Sequence, residues 1–131
     1  MSRAQAVDRL LAAVPTEART PPPAWAGEFV PPRKLRALRQ DASEEERKQF
    51  VRQQIEKSLE LRAWWLREML ETGSQLTERM TLFWHNHFVS SQQKVKSPVL
   101  MYRQNLLLRR HALGNFGELL HAVARDPAMV V

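Results

Sequence analysis

The sequence predicts an all-α fold, an irregular bundle of four to five helices behind a proline-rich extended segment. Three observations carry this. Helix-start signals recur at Ser43-Glu44-Glu45-Glu46, Ser97-Pro98 and Asn115-Phe116-Gly117-Glu118, each placing a side-chain acceptor just ahead of an apolar run. No segment alternates apolar and polar residues as a half-buried strand does. Six of the eight prolines fall between Pro15 and Pro32, where each removes a backbone donor and biases its predecessor towards extended geometry. Residues 1–40 therefore read as a short helix and linker, and residues 41–131 as the helical domain.

Taken in order, Ser2 caps a short helix from Arg3 that stops before Pro15. Val14 to Arg39 reads as an extended linker, with Trp25 and Phe29 as its anchors on the body. The Ser43 capping box opens a helix to about Glu71, ending before Gly73. Ile55, Leu59, Ala63, Leu66 and Leu70 form one continuous stripe along it. Leu61, Trp64, Trp65 and Met69 widen the apolar arc, leaving Glu60, Arg67, Glu68 and Glu71 as the remaining polar surface. Arg62 falls inside that arc, where it must either snorkel or pair with a buried carboxylate.

A further helix start lies at Thr77, leading into Phe83-Trp84-His85-Asn86-His87-Phe88. The helix from Pro98 to about Ala112 is apolar on nearly every side, the pattern of a buried helix. A helix from Asn115 to Arg125 follows, and Asp126-Pro127 begins another, with Ala128 to Val131 supplying a single turn. That unfinished start and the all-round apolar helix predict a piece of a larger helical protein, or one that needs a partner.

The length of 131 residues suits one domain, and no apolar run reaches the roughly 18 residues of a membrane span. Met1 to Val14 does not form a secretory signal, because Leu10 to Val14 is too short for its apolar core. Zero cysteines exclude disulfides, thiolate metal sites and a cysteine nucleophile. The net charge is +6, from fifteen arginines and five lysines against fourteen acids. Such a balance favours polyanions, but the densest basic run, Pro31 to Arg39, has no interleaved aromatics and is followed by Glu44-Glu45-Glu46. Nucleic acid is accordingly the weakest of the partner readings.

No nucleophile elbow and no phosphate-binding glycine loop is present. The dense cluster of chemically capable residues is the segment holding His85 and His87. On a helix these two stand about 200° apart and cannot share one metal unless the helix ends there. His87 projects onto the apolar stripe with Met80, Phe83 and Trp84, as a core histidine would. His85 projects with Glu78 and Thr81 towards a solvated surface. His111 and His121 could approach only through tertiary packing, and with carboxylates such a set would suit zinc, iron or copper. The aromatics Trp64, Trp65, Phe83, Trp84 and Phe88 have the spacing of a core.

Three runs are recognisable: Leu59-Glu60-Leu61-Arg62-Ala63-Trp64-Trp65-Leu66-Arg67-Glu68-Met69-Leu70, Leu76 to Phe88, and Leu108-Arg109-Arg110-His111-Ala112-Leu113-Gly114-Asn115-Phe116. Together with Asp126-Pro127-Ala128-Met129 they resemble the bacterial domain of unknown function 1800 family, over about Leu59 to Val131. The resemblance implies a mostly helical protein, longer than this chain, with no established catalytic residues and many exported members. His85, His87, Arg110 and His111 match the family's motifs and form the candidate functional cluster.

The leading functional expectation is a helical structural or interaction module, its partner being further helices of the same protein or another protein. The alternative is a metal-dependent enzyme, with a divalent metal on His87 and His111. The third, nucleic-acid or polyanion binding through the arginine excess, ranks behind both.

Overall fold

The computed structural model describes residues 1–130 and, within them, every side chain except those of Pro32 and Arg39. The described residues form helices and no strand, as the sequence predicts: α1 (Arg3–Ala12), α2 (Pro32–Asp41), α3 (Glu44–Glu71), α4 (Gln75–Phe88), α5 (Gln92–Val95), α6 (Pro98–His111), α7 (Phe116–Ala124) and α8 (Pro127–Val130). Val131, last residue of the turn expected after Pro127, lies outside the described residues.

The predicted caps hold. Ser2 and Ser43 each close a reciprocal capping box, Ser97 accepts from the Leu100 N–H, and Asn115 accepts from the Glu118 N–H. Two boundaries differ from expectation. α4 starts two residues before Thr77, because the Ser74 hydroxyl takes the Thr77 N–H and makes Thr77 an interior residue of the first turn. The stretch read as a linker up to Arg39 contains α2. Pro32 sits in its first turn, where a missing N–H costs nothing, so the last prolines start a helix rather than break one.

α6 is the hub: α3, α4, α5, α7 and α8 all pack on it. Its all-round apolar pattern is buried as predicted, in three clusters. Trp25, Trp64, Val99 and Tyr102 form one; Val95, Leu100, Met101 and Ala128 a second; Leu108, Leu119 and Val123 a third. Ala128 explains the Asp126-Pro127 signal, since the single turn it opens seats this methyl against Leu100 and Met101.

The non-helical segment before α2 runs antiparallel along α3 and is stitched to it and to the start of α4. Thr77 Oγ1 donates to the Pro15 carbonyl at 3.4 Å, Trp64 Nε1 to the Thr20 carbonyl at 3.3 Å, Trp25 Nε1 to Glu60 at 2.6 Å, and Lys57 to Glu28 at 2.6 Å. Trp25 is buried as an anchor, whereas Phe29 stays exposed beneath the Arg103 guanidinium.

The long stripe of α3 comes out differently. Ile55, Leu59, Leu66 and Leu70 face solvent, and the face that packs is Leu61, Trp64, Trp65 and Glu68. Periodicity finds an apolar face but not what covers it; here the segment before α2 and α6 both lie on the Trp64 side. The accessible surface of 9424 Å² exceeds the roughly 7,100 Å² that a compact monomer of this mass would show. Much of the excess is apolar.

Candidate functional site

The chemistry of the interior centres on Arg109, which is 2% exposed near the C-terminal end of α6. Its guanidinium grips the Glu78 carboxylate of α4 bidentately, Nη1 to Oε1 and Nη2 to Oε2, the latter at 3.0 Å. Nη2 also donates to Asn105 Oδ1 at 3.3 Å, and Nη1 lies 3.7 Å from Glu68 Oε1 on α3. Glu68 in turn accepts the backbone N–H groups of Arg19, at 3.0 Å, and Thr20, at 2.7 Å. Trp65 Nε1 donates to Glu78 at 3.1 Å. One guanidinium thereby joins α3, α4, α6 and the N-terminal segment. Burial raises the Glu68 pKa, but hydrogen bonds from Thr20 and Arg19 and the Arg109 charge outweigh that and hold the carboxyl below its ordinary value.

His85 completes the cluster. Its ring leans on Trp65 with centroids 4.8 Å apart, and its Nε2 lies 3.3 Å from Asn105 Nδ2. Asn105 Oδ1 is committed to Arg109, so Nδ2 must donate and His85 Nε2 must accept, which fixes a neutral imidazole with its proton on Nδ1. Burial, and then the Arg109 charge, push the His85 pKa down to about 4. The ring borders a pocket of about 250 Å³ that also receives Arg62, Asn86, Ser90 and Gln92. A small polar group could reach the imidazole there.

The two histidines thus exchange the places that the sequence suggests. His85, expected at a solvated surface beside Glu78, is half-buried because Glu78 is taken by Arg109 and Trp65 offers the ring an apolar bed. His87, expected in the core, is exposed and stacks on Phe83 with centroids 6.0 Å apart. Arg110 points to solvent and His111 is half-buried at the end of α6. His85 alone of these four joins the ion cluster. Among the described residues no three His, Asp or Glu side chains converge as a metal-binding group.

Arg109, Asn105 and Gln104 carry no signal in the sequence motifs that points to this cluster, and Glu68, expected on the polar surface of α3, is buried. One signal is present in the spacing: Asn105 and Arg109 lie four apart on a helix that is apolar on nearly every side, and such a pair inside a buried helix needs a charged partner. A second polar relay uses the same helix. Ser90 Oγ donates to Gln104, and Gln104 Nε2 donates to Asp126 Oδ2 at 2.7 Å. Burial raises the Asp126 pKa against the hydrogen bonds from Gln104 and Ala128.

These features define an all-helical domain whose hub helix is fixed by a buried arginine–carboxylate cluster. The family model for a protein of unknown function (DUF1800) matches residues 1–131, and the chain belongs to that family. The match extends the resemblance from the Leu59 region to the N-terminus. No curated protein and no solved structure matches the chain. No described helix is long and apolar enough to cross a membrane.

Proposed function

We propose that this chain is a helical interaction module whose docking surface is the aromatic face of α4 and α7. The observation that carries the reading is an exposed, contiguous aromatic cluster. Phe83 (52% exposed) and Phe116 (51%) both pack on Trp84, with centroids 4.9 and 5.8 Å away, and His87 and Leu120 stand beside them in solvent. Contiguous apolar patches of this kind mark interaction sites. Behind them the face is held rigid: Trp84 Nε1 donates to the Ala112 carbonyl at 2.9 Å, and Phe88 packs on the Leu108–Leu119 cluster. The Arg109–Glu78 pair fixes α4 to α6 underneath. The surface is aromatic with a histidine at its centre, and it suits the apolar side of another helix, in a further segment of the same polypeptide or in a separate protein.

The test is the behaviour of the isolated chain. It should self-associate with rising concentration in sedimentation velocity and bind a hydrophobic dye. Phe83→Ser with Phe116→Ser should abolish the self-association and weaken dye binding without lowering the melting temperature. A chain that stays monomeric, binds no dye and melts cooperatively would overturn the reading.

A further inference from the structure

A second surface, which shares no residue with the aromatic face, has the layout of a head-and-tail ligand site. Between α2, α3 and α5 lies a groove of about 530 Å³, within the size range of small-molecule pockets. Its floor is Leu38, Phe50, Val51, Ile55 and Leu59, which includes the N-terminal half of the α3 stripe. Its charged rim is Arg47, Arg62 and Lys96 against a single acid, Glu46. Ser58, Arg62 and Gln92 border both this groove and the pocket beside His85, so the two cavities adjoin at Arg62.

An unfulfilled cation stands at that junction. Arg62 has no ion-pair partner among the described residues, and of its two expected fates, snorkelling or pairing, it takes the solvent-exposed one. An alkyl chain fits the floor, and an anion answers the arginine.

We propose that the groove binds a single-chain anionic lipid, with the chain along Ile55 and Leu59 and the head at Arg62. Charge complementarity selects this occupant over a neutral or zwitterionic amphiphile.

The experiment titrates the full chain by calorimetry with lauroyl lysophosphatidylglycerol below its micelle concentration. Lauroyl lysophosphatidylcholine and glycerol 3-phosphate are the comparison arms. One-to-one binding of the anionic lipid is expected, with the zwitterionic lipid at least about tenfold weaker and no heat from glycerol 3-phosphate. Arg62→Gln should weaken the anionic lipid about tenfold and leave the zwitterionic one unchanged. Ile55→Asp should abolish both. Each of these side chains is exposed, so thermal melts confirm that the variants fold. Equal binding of the two lipids, unaffected by Arg62→Gln, would mean detergent-like adsorption and overturn the proposal. So would equal affinity for glycerol 3-phosphate, no heat from any probe, or conversion of a dimer to a monomer by Ile55→Asp, which would make the groove an interface between two copies. None of these results depends on Phe83 or Phe116, so failure here leaves the aromatic face standing.

Discussion

Arg109 on α6 holds Glu78 on α4 through both terminal guanidinium nitrogens, in an interior where neither residue is more than 5% exposed. A bidentate pair fixes direction as well as distance. Because Asn105 accepts from Arg109 and Trp65 donates to Glu78, the pair also orients His85.

Removing the cation should therefore be severe. Arg109→Met leaves Glu68 and Glu78 buried without a counter-charge, and a loss of about 3–5 kcal/mol is expected. Arg109→Lys should recover little of it, since a point charge cannot make the forked contact. Urea unfolding followed by far-UV circular dichroism measures both. A loss below about 1 kcal/mol for Arg109→Met would contradict the central role of the cluster.

The pH dependence has a definite sign. His85 has a folded pKa of about 4 against an ordinary value of 6.5, so the folded state prefers the neutral ring. Its contribution is complete above 6.5 and is lost as pH falls through the folded pKa, to a full extent of roughly 3 kcal/mol. Glu68, lowered from 4.5, adds a loss only at more acidic pH, and Asp126, raised, acts in the opposite sense. The difference between the parent chain and His85→Asn isolates the histidine. The parent should lose about 2 kcal/mol more than the variant between pH 6.5 and about 5, read by denaturant midpoints.

The end of α4 stores local strain. Val89 caps it at φ 48°, a left-handed conformation that a β-branched residue adopts at a cost, and its side chain is exposed. Val89→Gly should stabilise the chain by about 1 kcal/mol, the relief being partly offset by the greater freedom of glycine in the unfolded state. Thermal melting tests this, and an unchanged or lower midpoint would count against it.

The N-terminal segment depends on a few polar anchors. Glu68→Ala removes the acceptor for two backbone N–H groups, and Trp25→Ala removes a buried ring and its bond to Glu60. Limited proteolysis should then cut between residues 14 and 31 much faster than in the parent, with the helices from α3 onward persisting by circular dichroism in Trp25→Ala. Uniform resistance in both variants would show that other contacts hold the segment.

What the sequence determined by itself is the local part of this protein. Ser2, Ser43, Ser97 and Asn115 start the helices where their side chains meet an unpaired backbone N–H, because a cap is a contact within three residues. The burial of α6 followed from its lack of a polar side, and the all-α class followed from both. The motif runs around Phe83 to Phe88 and Asp126-Pro127 pointed to the family. Tertiary structure alone decided which apolar face of α3 is covered, which of His85 and His87 turns inward, and which arginine, Arg109 rather than Arg110, meets the buried acids. Helical periodicity is blind to those choices. A face, a ring or a cation is buried only when another element brings the surface or counter-charge to it. Here Glu68, Glu78 and the N–H groups of Arg19 and Thr20 arrive from up to 49 residues away in the chain.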